Sequence, residues 1–337
     1  MGADPQDASV LVAGAGNIGS HLAPLLARAG VGRLRIVDRD IVEEKNLRQQ
    51  DYGPQDVGRG KAEALARRLA GQFPQLRVEP FVADLEDVPL GSFRVTVLFG
   101  ALDSRRARQI LVSERGWPLG VPVIDGGVGE GLLGRVQTFV PGPASACLEC
   151  TWGEADYRQL AAEYPCQPGA AASAPATMAP ACVGAVVAGI MAARFLNMLA
   201  AEPATESREI AFDLRHNRFL ESRLRRSARC RFDHVVSEVV HIAAEALVAD
   251  LVALIERRFG ARPAHVEGVG QAAGLPSRGR PAACPTGGFA PTRFLPVEAL
   301  RDQAAEPVSA LSIVPGNGVR VRSGSESIFV MAESGGG

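Results

Sequence analysis

The sequence predicts an α/β protein built on a Rossmann-like doubly wound sheet, and three observations carry that expectation. Apolar runs of strand length alternate with helical patterns from residue 8 to about residue 140. Glycines 14, 16 and 19 follow the first apolar run and open a helix. The chain is 47% hydrophobic but only 5% aromatic, so Ala, Val and Leu must fill its core, as suits parallel strands covered by helices. With 337 residues there is room for about two domains. The expected division places the α/β domain at 1–235 and an accessory domain at 236–337.

The expected strands, in order, are Ser9–Val12, Leu34–Val37, Arg77–Phe81, Arg94–Phe99, Val121–Asp125 and Gly134–Phe139. Each is a short apolar or alternating run bounded by turn residues. Helices are expected at Ile18–Ala29, Lys61–Gln72 and Arg105–Arg115, where apolar residues recur at helical spacing. Residues 140–180 are rich in Pro, Gly, Ala and Ser and read as a long irregular excursion. A helix near Cys182–Ala200 and a strand at Glu209–Asp213 follow. In the accessory region, Ala244–Phe259 is amphipathic and residues 262–290 read as linker. Leu311–Val314 and Val319–Val321, separated by Pro-Gly-Asn-Gly, read as a hairpin, with Ser327–Met331 as a third strand.

Composition excludes several classes. Net charge is −1, so no global field favours nucleic acid or an anionic membrane, although residues 215–231 are locally basic. Met1–Ser9 is short and polar, unlike a signal peptide. The longest apolar run, near Ala179–Ala193, falls short of the roughly 20 residues that span a bilayer. A cytoplasmic location is expected. Six cysteines then point to metal or thiol chemistry rather than a disulfide framework.

The chemistry begins at the glycines. Gly14 suits a tight turn, Gly16 lets the backbone approach a phosphate, and Gly19 lets helix pack on strand. Asp38 ends the second strand, where a carboxylate can accept from ribose hydroxyls. An NAD(P)-linked oxidoreductase would need nothing more. Here the polar run continues through Asp40 to Asn46, Leu47, Arg48, Gln49 and Gln50, placed to reach a polyphosphate. Lys61 opens the next helix and can neutralise phosphate charge. Asp103 lies just past a buried strand, at the crevice where a carboxylate can share Mg²⁺ with phosphates. Cys147-x-x-Cys150 has the spacing of half a tetrahedral zinc site.

The set GAGNIG, DRD with NLRQQ, VGRGK and LDSRRAR resembles the ThiF/MoeB family over roughly residues 8–235. The resemblance implies an adenylyltransferase related to ubiquitin-activating enzymes. Such an enzyme uses ATP and Mg²⁺ to activate the C-terminal glycine of a ubiquitin-like or sulfur-carrier protein ending in Gly-Gly. It implies nucleotide-binding roles for Gly14, Gly16, Gly19, Asp38, Asp40, Asn46, Arg48, Gln50, Lys61, Asp103 and Arg108, with Asp103 holding Mg²⁺. It implies that Cys230 and His234 complete a Zn²⁺ site with Cys147 and Cys150, forming a zinc-bearing lobe. It further implies a homodimer, and Cys166 as a loop nucleophile able to take the activated carrier. Two positions depart from the pattern. Gln49 stands where the family writes arginine, with Arg48 one place earlier, and Met1–Ser9 lacks the arginine that relatives offer to a partner subunit. Rival readings keep the fold but adenylate a small carboxylate, a peptide or a tRNA base, or leave a non-catalytic scaffold.

Overall fold

The computed structural model describes residues 3–163, 179–200, 206–260, 262–267, 295–311, 313–314 and 316–333. These fall into two compact units. The first lies within Met1–Val88, Val95–Leu160 and Ala172–His234, the second within Pro89–Arg94, Ala161–Ala171 and Val235–Gly337.

The first unit is a mixed α/β layer structure. Its strands are β1 (Ser9–Ala13), β2 (Arg33–Val37), β3 (Arg77–Phe81), β4 (Val97–Gly100), β5 (Val123–Val128), β6 (Leu133–Phe139), β7 (Arg208–Asp213) and β8 (Arg218–Arg223). They form one sheet in the order β3-β2-β1-β4-β5-β6-β7-β8. The first five are parallel, and β6, β7 and β8 add an antiparallel meander. Strand order reverses between β1 and β4, so a crevice opens at their carboxyl ends, where ligands of such sheets sit. The helices are α1 (Gly19–Arg28), α2 (Lys61–Gln72), α3 (Arg105–Gln109), α4 (Glu154–Glu163) and α5 (Ala181–Ala200).

Physical reasons account for most of these bounds. In β1, Val10, Leu11 and Val12 are fully buried because both faces of a central parallel strand are covered. α1 sets Leu22, Ala23 and Leu26 into the same core as Val183, Val187, Met191 and Phe195 of α5. Each such apolar side chain contributes about 1.5–3 kcal/mol when fully buried.

Three expectations are corrected. β4 starts at Val97 rather than Arg94, because Leu90–Phe93 forms a 3₁₀ turn before it. The helix expected over Arg105–Arg115 is α-helical only to Gln109 and continues as a π-helical stretch, Ile110–Gly116, that ends at the buried Trp117. The helix expected near Cys182–Ala200 is present, but the expectation that its apolar stretch falls short of a membrane span does not hold. α5 is 20 residues long and by length and composition could cross a membrane. Its Val183, Val187, Met191 and Phe195 are instead buried in this unit's core.

The second unit is a five-stranded sheet. Its strands are β9 (Glu238–Ile242), β10 (His265–Glu267), β11 (Leu295–Pro296), β12 (Gly318–Ser323) and β13 (Glu326–Ala332). Their order is β11-β10-β12-β13-β9, with β9 parallel to β13. Helix α6 (Val248–Phe259) buries Leu251, Ile255 and Phe259 in a core with Val319, Val321, Ile328 and Val330; α7 (Val297–Leu300) adds Val297 and Leu300. The expected hairpin is also corrected. Val308–Leu311 is a 3₁₀ turn, and Val314 makes only an isolated bridge to Asn317. The actual hairpin joins β12 to β13 through Gly324 and Ser325, with Gly324 at a φ of 57° that favours glycine. Most of the segment read as linker lies outside the described residues.

Candidate functional site

The glycine loop leaves β1 at its carboxyl end. Gly14 has a φ of 91°, and a Cβ there would lie 2.3 Å from the Ala101 carbonyl oxygen. A Cβ on Gly19 would lie 1.8 Å from the Gly14 carbonyl oxygen. Both positions therefore demand glycine, and both bring the loop hard against the exit of β4. Gly16 differs, since a Cβ there would meet nothing nearer than Gln50 Nε2 at 4.0 Å. The loop is open on that side, which is what a phosphate cradle requires. The Gln50 side chain lines the opening, and its Oε1 is buried without a hydrogen-bond partner.

Asp38 ends β2 beside this loop. Its Oδ2 accepts from the Ala15 N–H at 2.7 Å and its Oδ1 from the Asp40 N–H at 2.8 Å. Each oxygen keeps a lone pair for a further donor, such as a ribose hydroxyl. Burial raises the Asp38 pKa, and the two backbone N–H bonds and nearby Lys61 only partly offset it. Protonated Asp38 thus adds stability at low pH, a contribution lost as pH rises through its folded pKa. Binding of a nucleotide needs the opposite form, the carboxylate. Nucleotide affinity should therefore weaken on acidification at a pH above the ordinary carboxylate range. Calorimetric titration of ATP across pH checks this: Asp38→Asn should bind about 10- to 100-fold more weakly near neutrality and lose the acid dependence. An equally steep acid loss in Asp38→Asn would assign the titration to another group.

Lys61 reaches the same edge by a fold-back of the chain. Ile41 bridges Gly60, Lys61 N–H donates to the Asp40 carbonyl, and the Lys61 ammonium bonds Asp40 Oδ2 at 2.9 Å. The lysine side chain is 9% exposed and its acid partner 58%. Tyr52, unremarked in the sequence, fastens this arrangement: its buried hydroxyl donates to the Ala15 carbonyl at 2.8 Å, with the Lys61 carbonyl at 3.3 Å. Asn46 is buried, and its Oδ1 caps a 3₁₀ turn by accepting from the Glu43 N–H. Arg48, at the end of that turn, is exposed, and Gln49 is half-buried.

Asp103 is exposed beyond the end of β4. Arg108, implied to bind nucleotide, is held by protein groups. It pairs with the buried Asp125 of β5 and bonds the Leu102 and Gly126 carbonyls. Asp125 is a second residue the sequence reading missed. No local pattern marks it, since its role depends on the pairing of β5 with β4.

The four residues of the expected metal site come together. The Cys147, Cys150 and Cys230 sulfurs and a His234 ring nitrogen all lie within 4.8 Å of one another. Cys147 Sγ stands 3.8 Å from Cys150 Sγ and 3.6 Å from Cys230 Sγ. His234 Nε2 is 3.2 Å from Cys150 Sγ. Two thiolates bound to one zinc ion at a tetrahedral angle stand about 3.8 Å apart, so the donor set fits that ion. Hydrogen bonding among the sulfurs pushes Cys147 up and holds Cys150 down as the preferred thiolate. The bond with Cys147 lowers Cys230, but its bond with Cys150 and burial raise it overall to about 11. The cluster is tied to its surroundings. Trp117 packs edge-on to His234, and the buried Glu149 accepts from Tyr157 of α4 and bonds Gln109 of α3. Cys166 lies outside the described residues.

A glycine loop and two strand-end acids at the switch of a mainly parallel sheet, followed by a Cys₃His cluster, define a doubly wound class of α/β protein with a crevice suited to a nucleotide. Residues 4–258 match the ThiF family, and the chain belongs to it. The chain is similar to the NEDD8-activating enzyme E1 catalytic subunit of Saccharomyces cerevisiae, 34% identical over 155 residues, 43% of this chain and 51% of that protein. It is similar to ubiquitin-like modifier-activating enzyme 5 of Oryza sativa subsp. japonica, 31% identical over 215 residues, 58% of this chain and 48% of that protein. It is also similar to the sulfur carrier protein ThiS adenylyltransferase of Bacillus subtilis, 35% identical over 150 residues, 43% of this chain and 44% of that protein. The chain spans about half the length of these curated relatives. Among solved structures, E. coli MccB with ATP shares the fold, with a TM-score of 0.54 at 22% identity, covering 68% of this chain and 67% of that one.

Proposed function

We propose that the chain is an ATP-dependent adenylyltransferase that activates the C-terminal glycine of a ubiquitin-like or sulfur-carrier protein. The observation that carries this reading is the convergence on one sheet edge. Gly14, Asp38 and Asp103 follow the carboxyl ends of β1, β2 and β4, three neighbouring strands, and Lys61 is bonded into the same edge through Asp40. A dehydrogenase would have use for the first two and none for Lys61 and Asp103.

In this mechanism the carrier's terminal carboxylate attacks the α-phosphorus of ATP and pyrophosphate leaves. The attacking group is already an anion, so no general base is needed. The chain's part is positioning and charge neutralisation. Backbone N–H groups of the glycine loop hold phosphate oxygens, Asp38 holds the ribose, and Lys61 offsets charge on the leaving pyrophosphate. Asp103 would hold Mg²⁺, which when bound would offset phosphate charge. A later step belongs to this reading: the Cys166 thiol loses its proton and attacks the acyl carbon of the adenylate, a thioester forms, and the acyl–phosphate bond breaks to release AMP. A homodimer and a cytoplasmic location belong to this reading too.

The test is ATP–pyrophosphate exchange with the purified chain. Exchange should appear only when a carrier ending in Gly-Gly is supplied and should vanish when that end is trimmed. Exchange driven by a small carboxylate or a peptide, with carriers inert, would move the reading to the rival acceptors.

A further inference from the structure

We infer that Arg108 and Asp125 form a positioning clamp that fixes Asp103, the proposed Mg²⁺ carboxylate; the inference rests on the adenylation reading. Asp103 is the exposed residue of a short, otherwise half-buried link between β4 and α3. Left to itself, such a link would sample many backbone states. Here both flanking residues are tied. On one side, the Leu102 carbonyl accepts from Arg108 Nη2 at 2.5 Å. On the other, Ser104 Oγ caps α3 by accepting from the Ala107 N–H at 3.1 Å.

Arg108 can hold Leu102 only because its own position is set. The same Nη2 donates to the Gly126 carbonyl at 3.0 Å, and Nη1 pairs with Asp125 Oδ2. Asp125 has no exposed side-chain surface and Arg108 has 11%. A Cβ on Gly100 would stand 2.4 Å from Asp125 Oδ1, so β4 closes over this carboxylate. Ala101, between Gly100 and Leu102, bonds the Ala13 carbonyl of β1, next to Gly14. The guanidinium thus ties β5 and the β4–α3 link to α3, and the backbone of that link is tied in turn to β1. A planar fork can serve three acceptors at fixed angles, and a lysine ammonium on a flexible stem cannot. Arg108 touches no reacting atom in this scheme and acts through Asp103.

Arg108→Lys and Asp125→Asn are the test variants, each read in two ways. In the apo protein, hydrogen–deuterium exchange of peptides covering 100–106 should rise several-fold, with peptides from β1 and from 147–152 unchanged. In ATP–pyrophosphate exchange, the Mg²⁺ midpoint should rise about tenfold while the KM for ATP at saturating Mg²⁺ moves less than twofold. A merely structural pair would lower yield or melting temperature without moving that midpoint. Unchanged apo exchange at 100–106 overturns the clamp whatever the activity does. Loosened exchange with an unmoved Mg²⁺ midpoint overturns its role in positioning Asp103. A wild-type chain that binds no ATP overturns the adenylation reading, and this inference with it; the apo measurement would still tell the two failures apart.

Discussion

If the proposed reaction holds, Asp103→Ala and Lys61→Ala should each lower carrier-dependent pyrophosphate exchange by about a hundred- to a thousandfold, the usual cost of removing one preorganised charge stabiliser. The two losses differ in kind. Asp103→Ala weakens Mg²⁺ binding, so excess metal should partly restore turnover. Lys61→Ala removes the ammonium that bonds Asp40 Oδ2 at 2.9 Å and leaves that acid the longer ion pair with Arg39 Nε at 3.9 Å. A less compensated acid beside the proposed phosphate site adds repulsion to the loss of a cation. The double variant Lys61→Ala/Asp40→Ala should therefore be more active than Lys61→Ala alone. Single-turnover formation of the acyl-adenylate is the direct measurement. Wild-type rates in either single variant would remove both residues from the chemistry, and a double variant no better than the single would remove Asp40 from the account.

Metal removal is the second large effect. The purified chain should carry one zinc per Cys147, Cys150, Cys230 and His234 cluster, measured by elemental analysis. An ion in thousandfold excess over its Kd stabilises the folded state by about 4 kcal/mol, or about 10 °C of melting temperature for a unit of this size. Chelation or Cys147→Ser should produce a fall of that order. Both should also loosen α4, because the cluster segment holds Tyr157 through Glu149, while Arg231 pairs with Glu154 and stacks on the Tyr157 ring at 4.0 Å. A chain free of metal and indifferent to chelator would reduce the four side chains to a packed thiol cluster.

Much of the nucleotide edge is legible in the sequence because strand ends are legible. An apolar run that stops at a polar residue marks where a parallel strand leaves the core, and Asp38 and Asp103 both follow such stops. β3 and α2 lie at the residues their patterns indicate. Arg108 is different: its partners are Asp125 and two carbonyls on neighbouring segments, and only strand register brings them together. The second unit is least legible. β9 and β10 are short, and β9 pairs in parallel with a strand some ninety residues away, a contact no local window contains. Pro-Gly-Asn-Gly carries strong turn signals, and Val314 does bridge Asn317, yet β12 starts only at Gly318 and finds its hairpin partner beyond Gly324. Turn chemistry shows where a chain can reverse, and pairing partners decide where it does.

Trp117 is 1% exposed, and its ring centre stands 5.2 Å from that of His234. An indole held edge-on to an imidazole of the candidate zinc cluster is an optical reporter already in place. Its emission responds to the charge and rigidity of that ring, which change when an ion takes the nitrogen lone pair. Trp152, the chain's other indole, packs on Tyr157. The occupancy of the cluster and the order of α4 are thus open to fluorescence in the unlabelled protein, through two emitters that substitution with phenylalanine can separate.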